Sequence, residues 1–167
     1  MKPHLLFILM LSSLAVSCRQ RPEIQQTEQI SDDSLHMITS EITYDVIIKN
    51  PNPGDAWTEE CLRNLKRDEL IDAIFAAVYA KQLEAYDIFE DSRLTPRKIK
   101  KMEEDGKIVR EKIGKFQFVE EWQMNSDEMS MTKRVTEIRM GMEIPDHEGF
   151  IKGYEPVFKV KLNEQIK

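Results

Sequence analysis

The chain has 167 residues, a formal net charge of −6, a pI of about 5.2 and a hydrophobic share of 41%. Acidity excludes a general nucleic-acid binder, which needs a basic face to meet phosphates. Composition excludes multispanning, collagen-like, mucin-like and wholly disordered chains, and the length suits one domain with a real core.

Residues 1–17 read as a secretory signal. Lys2 precedes a run from Leu5 to Val16 that is apolar apart from two serines. A spanning helix needs about 20 apolar residues, so this run has signal dimensions instead. It ends in Leu14-Ala15-Val16-Ser17-Cys18, small residues directly before a cysteine. That pattern resembles a bacterial lipobox, in which Cys18 becomes the new N-terminus and carries the lipid, palmitate included. Ala15 departs from the leucine usual at its position. The plainer alternative is ordinary secretion with an incidental Cys18. Arg19 lacks the aspartate associated with inner-membrane retention, so the expected location is the outer membrane, facing the periplasm. The chain's other cysteine, Cys61, is then left without an intramolecular partner. Beside Leu62 and Leu65 it is expected to be a buried thiol, since free cysteine packs like a hydrophobe.

Residues 18–41 follow as lipidated cysteine and tether, rich in Gln, Ser, Asp and Glu. Such a stretch buries too little apolar surface to offset its ordering entropy. The globular domain is expected over 42–167. The β-branched segment from Ile42 predicts a strand, stopped by Pro51-Asn52-Pro53-Gly54-Asp55. Thr58 is the expected cap of a short helix, with Glu59 and Glu60 favourable in its first turn. Over 67–81, Leu70, Ile71, Ile74, Phe75 and Val78 recur at helical spacing and predict an apolar face. Residues 83–87 suggest a short strand or extended link. Thr95-Pro96 opens a further helix that ends near Asp105, closed by Gly106.

Two long strands are expected next. Residues 115–124 place Phe116, Phe118, Trp122 and Met124 on one face, interrupted by Glu120. Asn125-Ser126-Asp127 begins a turn. In 131–144 the apolar residues change phase, from Met131 and Val135 to Ile138, Met140, Met142 and Ile144. A β-bulge near Thr136 accounts for the switch. Residues 145–153 read as a loop, and 155–162 as the last strand. The expected architecture is one α+β domain, an antiparallel sheet of about four strands packed against two or three helices.

The residue inventory gives little to chemistry. His4, His36 and His147 have no metal-ligand spacing with one another or with cysteine, so neither a zinc site nor a Ser-His-Asp or Cys-His arrangement is supported. The glycines are scattered rather than forming a phosphate loop. Glu120 and Glu121 point to opposite faces of a strand, which does not suit a glycosidase pair. Met129/Met131 and Met140/Met142 each offer two thioethers on one strand face, a Cu(I) possibility, but soft core filler is the favoured reading. No cofactor, metal or catalytic group is expected, and a hydrolase is disfavoured.

Charge is unevenly distributed. Residues 23–91 carry 16 acidic and 5 basic side chains, whereas 93–115 carry 9 basic and 4 acidic. Arg93, Arg97, Lys98, Lys100 and Lys101 crowd the start of the basic segment. They form either a solvated helix face or a docking patch for an acidic protein surface, anionic lipid, cell-wall polymer or second copy.

The stretch LIDAIFAAVYAKQLEAYD (70–87), the segment LTPRKIKKMEE, and KFQFVEEW with MTKRVTEIRMGMEI together resemble the GldN (PorN) gliding-motility family of Bacteroidetes-type envelope proteins. The shared pattern covers about 42–162. It runs from an apolar helix ending in an Ala-Tyr-Asp link, through a Thr-Pro helix start, to strands bearing Glu-x-Trp and a hairpin. The chain departs from that family in being shorter and in carrying a lipid-anchor cysteine. The resemblance implies a non-enzymatic periplasmic component of type IX secretion machinery, working beside the lipoprotein GldK (PorK). It brings no catalytic residue. The alternative is a periplasmic ligand- or glycan-binding lipoprotein.

Overall fold

Four long segments pair through backbone hydrogen bonds into the body of a single sheet. The computed structural model describes residues 34–162, so the expectations for the signal, Cys18 and the tether up to residue 33 fall outside the described residues. The elements in chain order are β1 (Leu35–Ile47), α1 (Ala56–Leu62), α2 (Arg67–Tyr79), β2 (Glu84–Tyr86), β3 (Arg93–Leu94) and α3 (Pro96–Glu104). A 3-10 turn (Arg110–Lys112), β4 (Ile113–Asn125), β5 (Ser130–Pro145) and β6 (Ile151–Lys161) complete them. The sheet order is β1-β4-β5-β6-β2-β3, and every neighbouring pair is antiparallel. The α+β class therefore stands, but with six strands rather than about four. The additions are the three-residue β2, which had read as strand or link, and the two-residue β3. Such short segments are made strands by their hydrogen-bonding neighbours, not by local preference.

One sheet face carries the core. Ile71, Ile74, Phe75 and Val78 of α2 and Ile99 of α3 are buried against Phe116, Ile138, Met140, Phe158 and Val160. Phe75 meets Phe158 edge-on, with ring centroids 5.2 Å apart. Burying each such side chain contributes about 1.5–3 kcal/mol, so this layer dominates the fold's stability. Leu70, expected on the same face, lies at its margin and is exposed. Two arginines join the helices to the 3-10 turn. Arg67 donates to the carbonyls of Ile113 and Arg110, and Arg110 pairs with Glu103 and Asp72 while its guanidinium covers the Phe75 ring at 4.2 Å. Those carboxylates hold the Arg110 guanidinium above its ordinary pKa.

Bulges set which side chains reach that core. Val119 pairs with Glu137 and Glu120 with Val135, leaving Thr136 as the extra residue of β5, where the phase change had predicted it. Its hydroxyl donates to the Val119 carbonyl at 3.1 Å. A second bulge lies at Gly114, between the pairs Ile113–Met142 and Lys115–Gly141. It turns Ile113 fully into the core and leaves Gly114 under the Glu143 side chain, where a Cβ would lie 2.7 Å from Cγ.

Four local expectations need correction. The domain begins before Ile42, because β1 starts at Leu35 and pairs with β4 out to Asn125. Residues 35–41 are mostly exposed, so a backbone ladder rather than apolar burial holds them. The cap of α1 is Asp55, not Thr58. Asp55 Oδ1 accepts from the backbone N–H groups of Trp57 and Thr58, both at 3.1 Å, and Thr58 donates its hydroxyl to Oδ2. These bonds hold the Asp55 carboxyl below its ordinary pKa. Cys61 is exposed, because α1 is a surface helix that buries none of its residues. The expected 145–153 loop is also shorter, since β6 already begins at Ile151.

Candidate functional site

The basic segment is built around α3. Thr95 Oγ1 accepts from the Lys98 backbone N–H at 3.2 Å, and Pro96 occupies the first turn, where its missing N–H costs nothing. Ile99 is fully buried and Met102 half-buried, so this stripe faces inward and Arg97, Lys98, Lys100 and Lys101 are exposed. Arg93 is exposed too, on β3, but is committed to an ion pair with Glu84 at 2.7 Å. The same Glu84 accepts from the Tyr86 hydroxyl at 2.5 Å, which raises the Tyr86 pKa.

Arg93 and Arg97 converge on a cleft of about 560 Å³ between the end of α2, β2 and the β3–α3 junction. Val78, Leu83, Ala85 and Leu94 give it apolar walls, and Lys81 adds a third cation. Lys98, Lys100 and Lys101 do not line it. Lys98 acts elsewhere, its charge helping to lower the Asp87 pKa, an effect led by backbone N–H donation from Glu90 and Phe89. The five predicted residues thus divide into two at a cleft and three on an open helix face. The remaining cations of the basic segment include structural ones, since Arg110 and Lys115 are held by Glu103 and Asp45.

Lys81 was invisible to sequence reasoning. It has φ +60° just after α2, where Gln82 N–H bonds back to the Ala77 carbonyl and Lys81 N–H to that of Val78. Glycine usually marks this left-handed helix end, and here a lysine occupies it. The arrangement can hold an anionic or amphipathic group by charge and apolar contact, without covalent chemistry.

Glu120 is 5% exposed and accepts from the Tyr44 hydroxyl at 2.5 Å and from Trp122 Nε1 at 2.8 Å. Glu121 instead pairs with Arg134 at 2.6 Å, so the two carboxylates share no site. His147 is exposed in the β5–β6 connection. Among the described residues no cluster of His, Cys, Asp and Glu could hold a metal. Core filler describes Met140 and, in part, Met142, whose sulfur accepts from the Val109 N–H at 3.4 Å. It does not describe Met129 and Met131, which are exposed where the β4–β5 hairpin turns.

The sheet face opposite the core carries a cross-strand ladder. Asp45 bonds Lys115 and Gln117 at 2.8 and 2.9 Å, Gln117 accepts from Arg139 at 3.0 Å, and Arg139 pairs with Glu137 at 2.6 Å. Lys159 continues it, 3.7 Å from Glu137 and 2.9 Å from Asp91. Lys115, then Gln117, hold the Asp45 carboxyl below its ordinary pKa. Comparison of the chain with protein-family models finds no match, and comparison with the sequences of curated proteins finds none either. Among the described residues no helix is long and apolar enough to cross a membrane.

Proposed function

We propose that this chain is a lipid-anchored, non-enzymatic envelope protein, a structural or adaptor component resembling the GldN family of type IX secretion and gliding machinery. Cys18 fixes it to the outer membrane on the periplasmic side, and its work is to bind other envelope proteins, a GldK-like lipoprotein or further copies of itself. The observation that carries this reading is β1. It is 13 residues long, it lies at the sheet's edge with no described strand on its outer side, and it exposes Leu35, Met37, Ile38 and Tyr44. A long edge with exposed apolar side chains suits strand addition by a partner. The basic face of Arg97, Lys98, Lys100 and Lys101 supplies a second contact for an acidic surface.

Crosslinking of native membranes followed by mass spectrometry tests the proposal. Crosslinks from β1 and α3 to envelope proteins are expected; recovery of an unaccompanied monomer defeats it. Cys18→Ser is expected to release the protein from the membrane fraction, and unchanged fractionation defeats the anchor. The cleft beside Lys81 favours one second reading, a periplasmic ligand- or glycan-binding lipoprotein, because its volume lies within the usual 300–1,000 Å³ of ligand pockets.

A further inference from the structure

The three cations of the cleft beside Lys81 are unequally engaged. Arg93 is paired with Glu84 at 2.7 Å, and Glu84 also accepts from the Tyr86 hydroxyl. The side chains of Lys81 and Arg97 have no hydrogen bond or ion pair with any described residue. Among the described residues Glu84 is the only carboxylate lining the cleft, so three cations face one anion, an excess of two positive charges.

Lys81 sits there against its own backbone preference. Its φ of +60° lies in the left-handed region, where a Cβ is unfavourable and glycine is the usual residue at a helix end. Packing does not call for its side chain, which is exposed. A lysine in such a position points to work for the ammonium group rather than for the fold.

The remaining lining side chains narrow the ligand. Their polar atoms are donors with almost no acceptor to spare, since Thr95 Oγ1 already accepts from the Lys98 N–H and the Glu84 carboxylate from Arg93 and Tyr86. A sugar hydroxyl must both donate and accept, and no aromatic ring lines the cleft for a sugar face to stack on. The rest of the surface is aliphatic. Leu83 and Pro96 are half-buried on its walls, with the buried Val78, Ala85 and Leu94 behind them. The volume of about 560 Å³ is several times the roughly 150 Å³ that holds benzene, so a chain of about six to ten carbons fits.

Resting on the ligand-binding reading of this cleft, we infer that it takes a linear aliphatic anion, an alkyl chain ending in a carboxylate or phosphate group. The anionic head meets Lys81 and Arg97, and the chain lies along Leu83 and Pro96. Neither the lipid anchor nor the β1 edge is needed for this binding.

The test uses the full-length chain carrying Cys18→Ser, handled without detergent, and titrates it with sodium hexanoate by saturation-transfer NMR at constant ionic strength. Saturable binding is expected, with acetate and 1-hexanol each at least tenfold weaker, because one lacks the chain and the other the charge. Lys81→Gly is expected to weaken hexanoate about fivefold while leaving the thermal midpoint unchanged or raised, since it relieves the left-handed backbone. Arg97→Gln is expected to weaken it about fivefold as well. Lys107→Gln removes an exposed cation outside the cleft and is expected to change nothing. An equal loss from Lys107→Gln, equal affinity for acetate or 1-hexanol, or unchanged affinity in both Lys81→Gly and Arg97→Gln overturns the inference. Sedimentation with vesicles of phosphatidylcholine and phosphatidylglycerol separates the sources. Hexanoate binding by protein that stays off the vesicles supports a free anion, and binding by protein that also sediments supports a lipid of the same chemistry. Sedimentation without hexanoate binding assigns the cations to a membrane surface and overturns the inference. If N-acetylglucosamine binds and hexanoate does not, the inference fails while the ligand-binding reading stands; if neither binds, both fail.

Discussion

Replacing Glu120 measures what holds the sheet beyond the helices. Its carboxylate is almost fully buried and receives two donors, the Tyr44 hydroxyl and the Trp122 indole N–H. Hydrogen bonds to a charged acceptor contribute about 1.5–3 kcal/mol each. The Tyr44 bond belongs at the low end, because Tyr44 is 37% exposed and its hydroxyl can turn to water. Against the pair stands the desolvation of the carboxylate, several kcal/mol for a buried ion. Glu120→Ala removes both bonds and leaves a gap, so a net loss of about 2–4 kcal/mol is expected. Glu120→Gln behaves differently. Its amide oxygen accepts from Trp122, its amide N–H donates to Tyr44 Oη, and no ion is buried. The expected loss is then about 0–1 kcal/mol. Urea unfolding followed by circular dichroism resolves the difference, and Tyr44→Phe in the Glu120→Ala background is expected to cost about 1 kcal/mol less than in the parent. If Gln costs as much as Ala, the charge itself is required and the reasoning fails. If Ala costs under about 1 kcal/mol, desolvation cancels the bonds and the cluster does not hold the sheet.

Gly114→Ala places a methyl 2.7 Å from Glu143 Cγ and forces that side chain off its pair with Lys49; the expected cost is about 1–3 kcal/mol, with part recovered in the Glu143→Ala background. Stability is expected to fall as pH rises past about 10. Tyr44 and Tyr86 are raised chiefly by bonds to Glu120 and Glu84, and Tyr154 by burial. The unfolded chain therefore ionises first and binds fewer protons than the folded one. Tyr44→Phe flattens this alkaline limb, and an unchanged limb in denaturant melts refutes the assignment. Exposed Cys61 is expected to react with a thiol reagent in the folded protein at a rate near that of the unfolded chain; strong protection refutes its exposure.

The legible parts of the fold were those whose signal is local. The apolar period of α2, the Thr95-Pro96 start of α3 and the phase change at Thr136 each lie within one element, and each appears in the structure. Where the expectation failed, a distant partner decided. Residues 35–41 look polar enough for a tether, yet β4 supplies them with a ladder. Cys61 lies between apolar neighbours, yet α1 has nothing packed over it. Asp55 captures the helix start because its carboxylate reaches two backbone N–H groups, which composition alone does not rank above Thr58.

The candidate sites divide the same way. Sequence determined that Arg93, Arg97, Lys98, Lys100 and Lys101 crowd one stretch, since charge density is a property of adjacent residues. Tertiary structure decided that Arg93 and Arg97 share a cleft with Lys81, and that Asp45, Lys115, Gln117 and Arg139 meet across three strands. Those groupings depend on strand register and bulges, which set face and neighbour through hydrogen bonds between segments far apart in the chain. The acidic net charge that excluded nucleic acid says nothing of such pairings, because it sums residues that folding separates and rearranges.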